Sequence, residues 1–232
     1  MYMDPLYLVF AVPAFILSML ASFFVKSTFN KYSQVMSSSG LTGAQAADTM
    51  LKASGVYDVR IEHVSGFLSD HYDPSANVLR LSDAVYGSQS LSALGVACHE
   101  AGHALQKANH YAPMGLRSML VVPANIGSKF SYVLIALGAA MQAPFLVNAG
   151  LILFSAAVAF SVVTLPVEWD ASARAKKALV TAGILQPAER SHAGSVLNAA
   201  FMTYIAGAVS SLATLLYYLL RAGVIGGGRR RD

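Results

Sequence analysis

Between Phe130 and Val167 the chain carries no charged side chain. A run of that length and character satisfies its backbone in lipid only as helix, so it dictates much of the fold. It is too long for one crossing, and Pro144 divides it. It reads as a hairpin: a helix from about Ser118 to Gln142, a tight turn at "QAP", and a second helix from about Phe145 to Pro166. A re-entrant first arm is the alternative. Lys129 falls inside that arm, where it either faces the bundle or snorkels to the interface.

Two more apolar runs flank the hairpin. The first, Pro5 to Val25, is preceded by Asp4 as its only charge and ends in Phe23, Phe24 and Val25. It lacks the basic start and small-residue cleavage site of a signal peptide, and reads as an uncleaved anchor. The last, Ala199 to Leu220, ends in Tyr217 and Tyr218, as an interfacial belt does. Ala199, Thr203, Gly207 and Ser211 recur along it at i+4 spacing, a small-residue stripe suited to close helix packing. Composition agrees: 55% of residues are hydrophobic and 12% charged, against about 25% charged in a soluble domain. The net charge of +4 comes from scattered basic residues without aromatic interleaving, which argues against a nucleic-acid partner. The single cysteine, Cys98, excludes an internal disulfide framework.

The expected fold class is therefore mainly α: an integral membrane bundle of four transmembrane helices with a small α+β portion. Residues 1–25 form the anchor, 26–117 a polar segment, 118–166 the hairpin, 167–198 a second polar segment, 199–220 the last span and 221–232 a basic tail, all in one integrated domain. An even number of crossings separates the two polar segments, so both lie on one side of the membrane. They hold Lys26, Lys31, Arg174, Lys176 and Lys177, which the positive-inside rule places in the cytoplasm. The tail "GGGRRRD" opposes that orientation.

In the first polar segment Thr42 and Gln45 form a capping box, and Gly55 marks a helix stop. "YDVRIEHV" alternates like a half-exposed strand, "HYDPSAN" is turn chemistry, and "NVLRLS" is a second strand. In the second segment Pro166 opens a helix and Gly183 closes it, and "QPAERSHAGSVLNAA" begins one that continues into the last span.

The chemistry is concentrated in "GVACHEAGHALQ", residues 95–106, on a helix expected from about Ser90 to Lys107. His99 and His103 are one turn apart on one face and can aim two imidazole nitrogens at one metal ion. Glu100 stands beside that face, where it can take a proton from an activated water. The flanking residues are small and apolar, so the helix is buried, and buried histidines beside a glutamate need partners. Cys98 points away from the histidine face and reads as a core residue. A catalytic zinc needs a third protein ligand and an open position. Glu168, on the same side of the membrane, is the candidate. Asp170 either orients a histidine from behind or pairs with Arg174 at i+4. His192, Asn198 and Tyr204 are candidate oxyanion donors, though Asn198 also suits a helix cap and Tyr204 a packing role. His63, His71 and His110 have no helical spacing to the site and read as surface or turn residues.

"SDHYDPSANVLRLSDAVY", "HEAGHALQ" and "LPVEWDASARA", in this order with spans around them, resemble the YugP-type neutral zinc metallopeptidases, bacterial membrane peptidases. The resemblance covers nearly the whole chain. That family is in turn similar to the HtpX and CAAX-prenyl-protease group, with its HExxH motif and a later Glu-x-x-Ala-Asp helix. The resemblance implies a zincin-like catalytic portion, one zinc ion per chain held by His99, His103 and Glu168, and Glu100 as general base. The chain departs from the wider group at Ser172, where that pattern has Asp, so Asp170 must supply the supporting role or it is absent. By fold analogy the strand Asn77, Val78, Leu79, Arg80, Leu81 would pair with an extended substrate. The implied activity is hydrolysis of a polypeptide by zinc-activated water in the bacterial inner membrane, with the lipid bilayer as the other partner. A zinc-stabilised membrane scaffold or chaperone without turnover is the competing reading; an intact Glu100 argues against it. A transporter or channel is disfavoured because Lys129 is the lone charge inside the spans.

Overall fold

Four stretches of the chain have the length and hydropathy to cross a membrane as helices, and all four are helical in the computed structural model, which describes residues 4–66 and 68–225. They are α1 (Pro5–Ser33), α4 (Ala112–Ala140), α5 (Pro144–Thr181) and α6 (Arg190–Arg221); between α1 and α4 lie α2 (Gly43–Ala53), strands β1 (Arg60–Val64), β2 (His71–Asp73) and β3 (Val78–Ser82), and α3 (Leu91–Ala108). The mainly helical class with four candidate spans and a small sheet is thus the observed one. Part of the expected basic tail, residues 226–232, lies outside the described residues.

The chain divides into two compact units. The first comprises Met1–Leu20, Leu116–Leu165 and Tyr204–Asp232. Its helices meet through small residues. A Cβ at Gly127 would stand 2.2 Å from the Leu153 carbonyl oxygen, so α4 and α5 touch backbone to backbone there. Ser18 and Ser210 are 3.1 Å apart, and Asp4 accepts from Tyr217 and pairs with Arg221, both at 3.1 Å. Gly207, in the expected stripe, is exposed with nothing near its missing Cβ; Ala206 and Ala208 beside it are buried instead. Lys129 is exposed on α4, so it does not face the packed interior of its unit. The hairpin turns at Met141–Ala143, with Gln142 at φ 51° and the Ala143 amide bonded to Gly138 O.

The second unit comprises Ala21–Gly115 and Pro166–Thr203. Its α2 carries the complete Thr42–Gln45 capping box, and Gly55, at φ 77°, follows the Ser54 C-cap. The sheet order is β1-β3-β2, with β1 parallel and β2 antiparallel to β3. Met50, Leu79, Leu81, Val85, Leu94 and Leu179 are fully buried and join α2, the sheet, α3 and α5 in one core.

Two expectations need correction. "HYDPSAN" is not all turn: its first three residues form β2, held in register because Asp70 accepts from both the amide and the hydroxyl of Ser82. Pro166 does not open a helix but sits inside α5. A proline removes one bond from the ladder, and a helix begun in an apolar run whose backbone must bond internally continues through it. Glu168 is therefore an interior helix residue.

Candidate metal centre

Ser90 caps α3, accepting from the Ala93 amide at 3.3 Å. From there almost every residue to Gln106 is buried, Cys98 included, so α3 is a central helix of its unit. Burial pushes the Cys98 thiol pKa up, as expected of an inert core cysteine. His99 and His103 project from one face, their ring centroids 4.9 Å apart.

Gly102 sets how close α5 can come. A Cβ there would stand 2.7 Å from the Ala171 carbonyl oxygen, so the two helix backbones are in contact. One turn earlier on α5, Glu168 reaches both rings: its Oε2 is 3.1 Å from His99 Nε2 and 3.5 Å from His103 Nε2. The carboxylate is 1% exposed, and both histidines are buried. One potential ligand atom from each of the three residues lies within 4.8 Å of the others.

The outer ring nitrogens are also held. His99 Nδ1 is 3.1 Å from Ser172 Oγ. His103 Nδ1 is 2.9 Å from Gln106 Oε1. The Gln106 amide nitrogen donates to Val167 O at 2.7 Å and to Asp170 Oδ2 at 2.8 Å. Its oxygen is therefore the acceptor, which places a proton on His103 Nδ1 and directs the Nε2 lone pair to the cluster. Burial pulls the His103 pKa down. Its hydrogen bond to Glu168 and the charges of Glu100 and Glu168 outweigh that, and the net shift is upward.

These residues fit a zinc ion. Two donors about 2.0–2.2 Å from one tetrahedral ion stand roughly 3.3–3.5 Å apart, and the Glu168–histidine separations are 3.1 and 3.5 Å. Two imidazoles, each held from behind, and a carboxylate would leave a tetrahedral ion one open position. The sequence profile of the family described as "Putative neutral zinc metallopeptidase" matches residues 7–223. The chain belongs to this family. A curated relative in Bacillus subtilis (strain 168), "Putative membrane protease YugP", is 44% identical over 215 residues, 93% of this chain and 96% of the relative. No solved structure matches the chain.

Glu100 directly follows His99 on α3, and its Oε2 accepts from the Tyr72 amide at 3.1 Å. Burial pushes its pKa up; the histidines work against this, while Glu168 and Asp70 add to it. Asp170 pairs with Arg174 at 2.6 Å and accepts from Gln106 at 2.8 Å; it touches neither histidine and reaches His103 only through that amide. The support behind His99 comes from Ser172, the residue whose departure from the wider pattern left that role in doubt.

The remaining candidates have other surroundings. His192 is exposed and stacks on Tyr32 with centroids 5.3 Å apart, and Asn198 accepts from Lys176 at 2.6 Å. Tyr204 falls in the other unit. His63 pairs with Asp83 at 2.6 Å, His71 Nδ1 is 2.7 Å from Ser69 O, and His110 is exposed at φ 50°. The proposed substrate strand is corrected. Val78, Leu79 and Arg80 are paired to β1 on one flank and to β2 on the other, so β3 has no free edge there for another chain. Asn77, at φ 55°, precedes the strand and donates to Asp58, and Leu81 is fully buried. Gln106 and the Tyr72 amide went unnoticed in the sequence. Gln106 had a signal: three residues after His103, it shares that histidine's helix face. The amide had none.

Proposed function

We propose that the chain is an integral membrane zinc peptidase that hydrolyses peptide bonds. His99, His103 and Glu168 would hold the metal, and Glu100 would be the general base. The observation that carries this is the convergence of three buried donors from two helices, with Glu100 next to one of them on α3. When bound there, zinc supplies Lewis acidity towards water and a carbonyl oxygen.

The chain's own residues do the rest. Glu100 takes a proton from the attacking water and returns it to the departing amine. The Tyr72 amide occupies one carboxylate oxygen and leaves the other for that water. A carboxylate with a raised pKa binds that proton more readily than an ordinary one, which suits it to the shuttle. Gln106 and Ser172 keep the imidazoles aimed at the cluster.

Lys26, Lys31, Arg174, Lys176 and Lys177 in the polar segments support a site on the cytoplasmic side of a bacterial inner membrane. The substrate is a polypeptide that reaches the site beside the bilayer. The test is casein or peptide cleavage by purified protein with metal analysis in parallel, wild type against Glu100→Gln. The variant should keep its zinc and lose cleavage by about two to four orders of magnitude. Cleavage at the wild-type rate by Glu100→Gln would refute the assignment. Stoichiometric zinc in a wild-type protein that cleaves nothing would favour the scaffold reading.

A further inference from the structure

A second polar group in the same unit takes no part in the ligand cluster. Lys176 on α5, with Pro187, Arg190, Ser191, Gly194 and Asn198 before and along the start of α6, lines a cavity of about 430 Å³. Two of these six residues are cations and none is an acid. Glu189, next in sequence, has its carboxylate engaged by the amide and hydroxyl of Ser38 and by the Gln186 amide. Among the described residues no carboxylate forms an ion pair with Lys176 or Arg190. The Lys176 ammonium is fixed by Asn198 at 2.6 Å, so its charge is held at the wall. The floor is open: a Cβ at Gly194 would meet only Lys176 Cε, at 3.8 Å.

The depth of this cavity is readable from its neighbour. Trp169 is 59% exposed and lies three residues beyond Pro166, where the uncharged run has ended. An exposed tryptophan at the end of an apolar span belongs at the headgroup level of a bilayer. The Lys176 ammonium stands 5.8 Å from the centre of that indole. Lysine side chains on a helix lean towards its N-terminus, here towards the apolar run. The Lys176 ammonium is therefore directed towards the layer where lipid phosphates lie, and Arg190 lines the same cavity.

We propose that this cavity binds the phosphate headgroup of an anionic membrane lipid, with Lys176 and Arg190 as its cationic walls, Asn198 and Ser191 as polar neighbours, and Trp169 beside the lipid's glycerol region. Bilayer phosphate is favoured over soluble phosphate because the indole must otherwise face water with more than half its surface.

Trp169 is the chain's only tryptophan, so its fluorescence reports on the site directly. The full-length protein is reconstituted in phosphatidylcholine nanodiscs containing either brominated phosphatidylglycerol or, at the same mole fraction, brominated phosphatidylcholine. Stronger quenching by the brominated phosphatidylglycerol is expected, equivalent to about fivefold local enrichment, the size one basic residue provides near an anionic surface. Gly194→Glu, which places a carboxylate in the open floor, should abolish the difference. Arg190→Gln, at an exposed position, should reduce it and carries the comparison if the first variant does not fold. Equal quenching by the two lipids in the wild type, or an undiminished preference in Gly194→Glu or Arg190→Gln, overturns the proposal. So does loss of the preference on adding millimolar inorganic phosphate at constant ionic strength, which would make free phosphate the ligand.

Discussion

The hydrogen bonds of Gln106 have one direction. Its amide protons go to Val167 O and Asp170, so its oxygen can only accept, and His103 must donate. Gln106→Leu keeps the volume and removes the acceptor. It should weaken zinc binding about 10- to 100-fold, and Ser172→Ala should do the same through His99 with a smaller effect. Competition with a chromophoric chelator measures both; affinities within about twofold of wild type would mean that the rings are held by packing alone. Protons compete for the same nitrogens. The hydrogen bond to Glu168 and the charges of Glu100 and Glu168 push the His103 pKa up, so a proton competes for this imidazole above the ordinary histidine range. Zinc must then displace that proton. Affinity should fall as pH drops through the raised value, starting above the ordinary histidine range, with proton release on binding. Calorimetry in buffers of different ionisation enthalpy counts those protons. An affinity that falls only at or below the ordinary histidine range would contradict the upward shift.

At the scale of elements, the site depends on how near α3 and α5 come. Gly102→Ala improves α3's own helix propensity by about 1 kcal/mol. It also drives a methyl group against the Ala171 carbonyl, a contact of 2.7 Å with backbone that cannot rotate away. Net destabilisation of about 1–3 kcal/mol and loss of zinc affinity are expected, read from a thermal melt in detergent and the same chelator competition. A variant as stable and as tight as wild type would show that the helices have slack. The spans and α3 were legible in the sequence because uncharged runs and the His99–His103 spacing are local signals, and Glu168 was reachable because even crossings return the chain to one side. β2 was hidden because three residues give no periodicity and Asp73-Pro74 spells a turn; its register is set by Asp70 and Ser82, a contact across twelve positions. Which edge of the sheet stays free was hidden for the same reason. Pro166 misled because a proline that opens one helix and one that interrupts another look alike in sequence, and only the residues on both sides of it decide.

For the whole molecule, one chain supplies both the helices long and apolar enough for a membrane and the buried donors. The small residues serve both parts: Gly127 in one unit and Gly102 in the other each allow two helix backbones to touch. A single metal held by His99, His103 and Glu168 is the feature on which the proposed chemistry depends. X-ray absorption at the zinc edge, on purified protein of known metal content, tests that most directly. One zinc per chain is predicted, bound by two imidazoles and at least one carboxylate oxygen with no sulfur, and Glu168→Ala should remove the carboxylate and most of the bound metal. A protein without stoichiometric metal, or a coordination shell that Glu168→Ala leaves unchanged, would contradict the account.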